Sequence, residues 1–304
     1  MANSNEEEER MVKLGSYGGE VRLVVDGDES AAEETMLLWG IQQPTHSKPN
    51  AFVSHSSLHL SLDSCGHSLS ILQSPSSLKL AVALVMGVMN LLIWMIHISA
   101  QTIGALARDC VWDSRGTPGV TGAVMWDSGV VLGKFLEHSV DSGMLVLQGK
   151  KIVELGSGCG LVGCIAALLG GEVILSDLPD RMRLLRKNIE TNMKQVSLRG
   201  SITVTELTWG EDPDAEIVDP SPDYVLGSDV VYSEEAVGDL LETLMQLSGP
   251  NTTIFLAGEL RNDAILEYFL EAAMNNFTIG RVDQTLWHPD YCSNRVVLYV
   301  LVKK

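Results

Sequence analysis

The second half of this 304-residue chain alternates short apolar runs with amphipathic helical patterns. Because a helix that follows each strand returns the chain to the same end of the sheet, this alternation predicts an α/β fold with helices on both faces of a mostly parallel sheet. Two strand-like segments at the end predict a C-terminal antiparallel hairpin. The alternating run at 57–73, interrupted by Cys65-Gly66, predicts a small N-terminal β-hairpin.

A glycine-rich turn, VELGSGCGLVG at 153–163, follows the first strand of this alternating half. Gly158, Gly160 and Gly163 match GxGxxG, the fingerprint of dinucleotide-binding proteins. Read from Glu154, the same stretch matches ExGxGxG instead. An acid at Glu154 is badly placed beside a pyrophosphate, which binds at a helix N-terminus, and well placed beside the cationic amino-acid part of S-adenosylmethionine. Glu154 therefore favours the second pattern.

Asp177 ends the second strand, EVILSD. In either pattern an acid at this position can accept hydrogen bonds from ribose hydroxyl groups. The alternative is structural: the glycines form a tight turn, and Asp177 caps the next helix.

From about residue 117 onward the chain resembles the class I (seven-strand) S-adenosylmethionine-dependent methyltransferases. More narrowly, it resembles the protein-lysine methyltransferases of the methyltransferase-like 21 subfamily. The motifs that carry the resemblance are VMWDSGVVLGKFLE, VELGSGCGLVG, ILSD, ELTWG and LGSDVVY, in this order. The hairpin at 57–73 also resembles the N-terminal hairpin of that subfamily. The resemblance implies a Rossmann-like sheet of seven strands and S-adenosyl-L-methionine as the cofactor.

The resemblance also assigns roles to particular residues. The cofactor-binding residues that we expect are Trp126, Glu154, Gly156, Ser157, Gly158, Gly160, Asp177, Trp209 and Ser228. The DxxY motif supplies two catalytic candidates, Asp229 and Tyr232. The carboxylate of Asp229 could hold and orient an incoming ammonium group, and the ring of Tyr232 could flank the nitrogen by a cation–π contact. The alternative for Asp229 is a cap on the following helix.

These motifs predict an enzyme that transfers a methyl group from S-adenosylmethionine to a lysine amine of a protein. The resemblance implies a chaperone, an AAA-ATPase or an elongation factor as the substrate. Three alternatives stay open: a methyltransferase acting on a small molecule or another nucleophile, a nicotinamide-dependent oxidoreductase, and a non-enzymatic membrane-tethered module. Nucleic acid is disfavoured as a substrate, because the net charge is −18 and the fourth-strand motif is SDVVY rather than (N/D)PP(Y/F).

One stretch does not fit this fold. Residues 80–100 are apolar and long enough for a single membrane span. The motif order instead suggests that 79–115 is an insertion foreign to the fold, since residues 76–78 would join 116–127 smoothly without it. The predicted organisation is a disordered acidic tail at 1–18, a strand and hairpin extension at 19–78, the apolar insertion at 79–115 and the methyltransferase domain at 116–304.

The five cysteines include no CxxC pair, and the seven histidines include no HExxH motif. This pattern predicts free thiols and no metal site. Together with a cytosolic cofactor, free thiols predict a cytoplasmic protein, with membrane association only if 80–100 spans a bilayer.

Overall fold

The computed structural model describes most of the chain outside one long internal segment. The described residues are 11–24, 30–42, 50–54, 57–74, 123–194, 196 and 198–304. The apolar run at 80–100 and the proposed insertion at 79–115 therefore lie outside the described residues, as do residues 1–10. Within the described ranges, no helix is both long and apolar enough to cross a membrane.

A mixed nine-stranded sheet forms the centre of the fold. The strands along the described chain are β1 (Met11–Lys13), β2 (Glu20–Val24), β3 (His59–Ser64), β4 (His67–Leu72), β5 (Lys151–Leu155), β6 (Glu172–Asp177), β7 (Ser201–Glu206), β8 (Tyr224–Ser228), β9 (Thr253–Glu259), β10 (Phe277–Val282) and β11 (Val296–Lys303). The sheet order is β1-β2-β10-β11-β9-β8-β5-β6-β7, while β3 and β4 pair separately. Strands β5 to β9 are parallel, and β11 is antiparallel to both β9 and β10. Strands β5 to β11 are thus the seven strands of the predicted sheet, which is confirmed, and β1 and β2 extend it at one edge.

Helices cover both faces of this sheet, as predicted. They are α1 (Ser30–Ile41), α2 (Asp127–Asp141), α3 (Leu161–Leu168), α4 (Met182–Met193), α5 (Ala215–Val218), α6 (Glu234–Leu247) and α7 (Asp263–Met274). One core cluster includes side chains of α2, α3 and α4, such as Phe135 and Leu185. A second cluster includes side chains of α1, α6 and α7, such as Leu38 and Phe269. The parallel strands lie between the two, which explains their nearly continuous apolar sequences.

The N-terminal region extends the sheet further than the sequence predicted. Residues 1–18 were predicted to be disordered, but Met11–Lys13 form β1 and pair with β2, which pairs in turn with β10. Tyr17 is buried, with its ring centroid 5.6 Å from that of Phe135 and 5.7 Å from that of Phe255. A three-residue strand is too short to show periodicity, so its pairing depends on these tertiary contacts.

The predicted N-terminal hairpin is present as β3 and β4, with His59 opposite Leu72. Its turn residues Cys65 and Gly66 have φ values of 52° and 75°, as a two-residue hairpin turn of type I′ requires. Asn188 on α4 accepts a hydrogen bond from the Leu72 amide at 2.8 Å and donates to the Cys159 carbonyl at 2.9 Å. The hairpin is therefore connected directly to the glycine-rich turn.

The C-terminal strands β10 and β11 form the predicted antiparallel pair, but the connection between them is longer than a tight hairpin turn. Residues 283–295 join the strands and contain the 3₁₀ turns Gln284–Leu286 and Pro289–Tyr291. The Asp283 carboxylate accepts the Thr285 amide at 2.8 Å, and this local bond ends the strand.

Asp127, at the start of α2, connects three separate parts of the chain. Its carboxylate is fully buried and accepts the backbone N–H groups of Ala51, Phe52 and Val53. The guanidinium of Arg295, which precedes β11, lies 3.4 Å from the same carboxylate. This arrangement fixes the start of α2 beside the carboxyl ends of the strands.

Replacing Asp127 should therefore destabilise the fold. We expect Asp127→Ala to lower the free energy of unfolding by roughly 3–5 kcal/mol, because one partner of a buried ion pair is removed and three amides lose their acceptor. Urea unfolding followed by circular dichroism measures the change. The exposed Asp141 at the other end of α2 provides the control, and Asp141→Ala should change stability by less than about 0.5 kcal/mol. Equal effects of the two substitutions would contradict the connecting role of Asp127.

Candidate active site

A cavity of about 270 Å³ opens at the carboxyl ends of β5, β6, β7 and β8. The predicted site residues that line it are Trp126, Glu154, Gly156, Ser157, Gly158, Asp177, Trp209, Ser228, Asp229 and Tyr232. Gly160 is the exception: it does not line the cavity, and a β-carbon there would lie 2.6 Å from the Leu185 side chain. The structure thus brings together residues from four strand ends and from the start of α2.

The glycine-rich turn requires backbone angles that only glycine adopts readily. Gly156 has a φ of 58°, and a β-carbon there would lie 3.1 Å from Val230 and 3.2 Å from the ring of Trp209. The hydroxyl of Ser157 donates to the Glu154 carbonyl at 3.2 Å and accepts the Ser176 amide at 3.1 Å. The side chain of Ser157 therefore stabilises the turn.

Glu154 is buried beneath this turn, and its carboxylate accepts the Gly163 amide at 2.9 Å. Burial raises the pKa of Glu154 to about 8, and the nearby charge of Asp177 also raises it. The Gly163 hydrogen bond opposes the rise, but none of the groups acting on this pKa is positively charged. Glu154 is therefore a carboxylate that a bound cation would stabilise.

Asp177, at the end of β6, stabilises the glycine-rich turn through its carboxylate. One carboxylate oxygen accepts the Gly158 amide at 2.6 Å, and the other accepts the Leu178 amide at 2.8 Å. Burial raises the pKa of Asp177, while these two hydrogen bonds and the charge of Arg181 oppose the rise. Asp177 does not cap α4, whose N-cap residue is Arg181.

Two tryptophans and a tyrosine form the aromatic walls of the cavity. Trp209 and Tyr232 have ring centroids 6.4 Å apart, and Tyr232 is 44% exposed at the mouth. On the other side, the guanidinium carbon of Arg261 lies 3.9 Å from the ring centroid of Trp126. Rings of this kind suit a flat, partly charged ligand.

Asp229 has a left-handed backbone conformation, with a φ of 61°, which is uncommon for a residue other than glycine. Its carboxylate accepts the Glu259 amide at 3.2 Å and forms an ion pair with Arg261. The alternative of a helix cap is wrong, because the N-cap residue of α6 is Ser233. Asp229 therefore already has a cationic partner, whereas the sequence suggested that it would hold an incoming ammonium group.

A second cavity, of about 70 Å³, adjoins the first. Val230 and Tyr232 line both cavities, and Glu259 and Arg261 line only the second. The segment from Asp229 to Tyr232 thus forms the boundary between the two.

Sequence reasoning missed several residues of this region. Arg181 and Val230 line the first cavity, and Arg261 contacts both Trp126 and Asp229. Val230 lies inside the LGSDVVY motif and could have been found from its position there. Nothing in the motif order indicated Arg261, which lies 32 residues after Asp229 in the chain.

Among the described residues, no group of three or more His, Cys, Asp or Glu side chains is arranged to hold a metal ion. Cys65, Cys159, Cys164 and Cys292 are free thiols.

Comparison with known proteins identifies clear relatives. A family profile described as lysine methyltransferase matches residues 109–275, beginning inside the segment 79–115. The protein N-lysine methyltransferase METTL21A of Danio rerio is 39% identical over 160 residues, which is 53% of this chain and 70% of that protein. EEF1A lysine methyltransferase 3 of Xenopus tropicalis is 38% identical over 150 residues, which is 49% of this chain and 62% of that protein. Among solved structures, precorrin-6y C5,15-methyltransferase from Geobacter metallireducens is 12% identical, with a TM-score of 0.43 over 63% of this chain and 96% of that one.

The buried carboxyl group of Glu154 should make the stability of the ligand-free protein depend on pH. Its folded pKa of about 8 exceeds the ordinary value of 4.5, so between these values the folded protein holds a proton that the unfolded chain has released. Rising pH therefore destabilises the wild-type protein by up to about 1.4 kcal/mol per pH unit through this group. Glu154→Gln cannot titrate, and its stability relative to wild type should increase from pH 5 to pH 8 in urea unfolding.

The exposed Glu206 at the end of β7 provides a matched control for this experiment. Glu206→Gln should leave the pH dependence unchanged within about 0.5 kcal/mol. Parallel stability curves for Glu154→Gln and wild type would contradict the raised pKa of Glu154 in the folded protein.

Proposed function

This chain belongs to the lysine methyltransferase family, and we propose that its cavity binds S-adenosylmethionine for methyl transfer to a lysine amine of a protein substrate. Membership of this family confirms two predictions from the sequence. The chain is a class I methyltransferase of methyltransferase-like 21 type, and its cofactor is S-adenosylmethionine. The observation that supports the proposed site is that ten of the predicted residues line one cavity at the carboxyl edge of the parallel strands. Open α/β sheets bind their ligands at this edge.

The residues of the cavity fit this cofactor. We assign Glu154 to the cationic amino-acid end, because it is a buried acid on which no described cation acts. Asp177 lies at the end of β6, where an acid can accept the ribose hydroxyl groups, and Trp209 offers a ring to the adenine. A pyrophosphate would meet two carboxylates here, which disfavours a dinucleotide.

When bound, S-adenosylmethionine supplies an electrophilic methyl group on a positively charged sulfur. The attacking lysine nitrogen must carry a free lone pair; as the new N–C bond forms, the S–C bond breaks and its electron pair goes to the sulfur. At neutral pH, deprotonating a free lysine costs roughly 4–5 kcal/mol. Partial burial and alignment between aromatic walls reduce that cost. We propose that Tyr232 aligns the lysine amine, because its ring lies beside Trp209 at the mouth of the first cavity.

We propose that the substrate is a protein, namely one of the chaperones, AAA-ATPases or elongation factors that the resemblance implies. We also propose that the reaction takes place in the cytoplasm. The printed name of one relative, EEF1A lysine methyltransferase 3, makes an elongation factor the first candidate to test. Free thiols support a reducing compartment.

Removing the Asp177 carboxylate should weaken cofactor binding. Asp177→Ala loses the acceptor of two backbone amides and of the ribose, so we expect the Kd for S-adenosylmethionine to rise at least about tenfold in isothermal calorimetry. The control is Asp180→Asn, which removes a more exposed charge three residues away and should change the Kd less than about twofold. If wild type binds no S-adenosylmethionine, the proposed site is wrong.

The ring of Tyr232 should matter more than its hydroxyl. We expect Tyr232→Ala to lower kcat/KM for methyl transfer about tenfold and Tyr232→Phe to lower it less than about threefold, because a cation–π contact needs only the ring. Transfer of a radiolabelled methyl group to elongation factor 1A, and in parallel to a chaperone and an AAA-ATPase, gives the rates. Tyr268 on α7 is equally exposed, at 44%, and Tyr268→Ala is the matched control. Equal losses in Tyr232→Phe and Tyr232→Ala would instead assign a role to the hydroxyl.

A further inference from the structure

Arg261 is positioned between the two halves of the site. Its guanidinium stacks on Trp126, forms an ion pair with Asp229, and places its Nε atom 3.5 Å from the carboxylate of Glu259. Trp126 and Asp229 both line the first cavity, whereas Arg261 lines the second. One side chain therefore contacts a predicted cofactor-binding residue and a predicted catalytic residue.

Three acids and two arginines lie together at Asp229. Asp229 and Glu259, at the end of β9, both pair with Arg261, and Arg295, before β11, pairs with Glu259 and with Asp127 at the start of α2. In the first cavity, which Asp229 also lines, Tyr232 interacts with Asp177 and Arg181. Burial raises the pKa of Glu259, and the charge of Asp229 raises it further while Arg261 opposes the rise. Arg261 thus neutralises part of the negative charge of Asp229 and Glu259, and Arg295 does the same for Glu259 and Asp127.

This balance matters for a lysine that has to lose its proton. A carboxylate within about 4–6 Å of an amine stabilises the ammonium form, whereas a neighbouring guanidinium disfavours it. An unopposed Asp229 would bind a lysine well and hold it in the form that has no lone pair. The pairing with Arg261 removes that attraction.

We infer that Arg261 is a positioning residue for methyl transfer, which acts through Asp229 to keep that carboxylate from holding the substrate lysine as an unreactive ammonium ion. The inference rests on the proposed function, because it requires the methyl group to be transferred beside Asp229. Arg261 itself takes no part in bond making.

Two cofactor analogues test this role of Arg261 without a protein substrate. Sinefungin carries a primary amine on the carbon that replaces the methylsulfonium group, and S-adenosylhomocysteine has an uncharged sulfur there. The ratio of their Kd values, measured by calorimetry at pH 7.5, reports the affinity of the site for an ammonium group near the position of the transferred methyl. In Arg261→Gln we expect the affinity for sinefungin to rise about tenfold relative to S-adenosylhomocysteine, since a pKa effect of one unit is tenfold.

Matched variants separate this role from packing. Arg261→Lys keeps the charge, and its ratio should stay within about threefold of wild type. In an Asp229→Asn background, Arg261→Gln should change the ratio less than about threefold, because the carboxylate through which it acts is absent. Arg261→Met, which keeps an unbranched chain beside Trp126, takes the place of Arg261→Gln if that variant unfolds.

The outcomes are distinguishable. An equal loss of affinity for both analogues would mean that Arg261 only supports the Trp126 wall, and would overturn the inference while leaving the cofactor site intact. A change of ratio that persists undiminished in Asp229→Asn would also overturn it. Failure of wild type to bind S-adenosylmethionine or either analogue would overturn the proposed function and this inference together.

Discussion

The hydrogen bond from the Gly163 amide to the buried Glu154 carboxylate holds the start of α3 against the end of β5. The same carboxylate lies close enough to Asp177 for the two charges to interact, so two acids share the floor of one cavity. A charge buried without a partner is costly, and an acid in that position either keeps its proton or faces a cation. The turn is thus built around a buried acid that two hydrogen bonds stabilise only in part, and the cationic end of the cofactor that we propose would stabilise its charge further.

The strands, the acids at their carboxyl ends and the hairpin turn could be predicted, because each depends on residues that are neighbours in the sequence. Buried strands such as KIVEL and EVILSD have an apolar centre, and each carries an acid at or next to its carboxyl end, which lies at the edge of the sheet. Since parallel strands end at the same edge, Glu154, Asp177 and Asp229 had to come close together once the strand order was right. The hairpin around Cys65-Gly66 could be predicted for the same reason, because two adjacent residues determine its turn.

The parts that could not be predicted depend on contacts between distant segments. Asp127 lies inside the stretch VMWDSGVVLGKFLE, from which no role for it was predicted, yet its carboxylate accepts hydrogen bonds from amides 74 to 76 residues earlier in the chain. Arg261 reaches Trp126 and Asp229 from a loop that carries no motif. Gly160 was assigned to the cofactor because the motif contains it, but its missing side chain makes room for Leu185 instead. A glycine motif therefore contains both positions that line the cavity, such as Gly156, and positions such as Gly160 that packing requires.

The amide of Ser74 donates to the carbonyl of Ala123 at 2.7 Å. The chain thus leaves the described fold after residue 74 and re-enters it at residue 123 at almost the same point in space. The two points at which the chain leaves and re-enters the domain are therefore held together by the domain itself, whatever the length of sequence between them. Such a junction can gain or lose tens of residues over evolution, while the geometry of the cavity stays under separate selection.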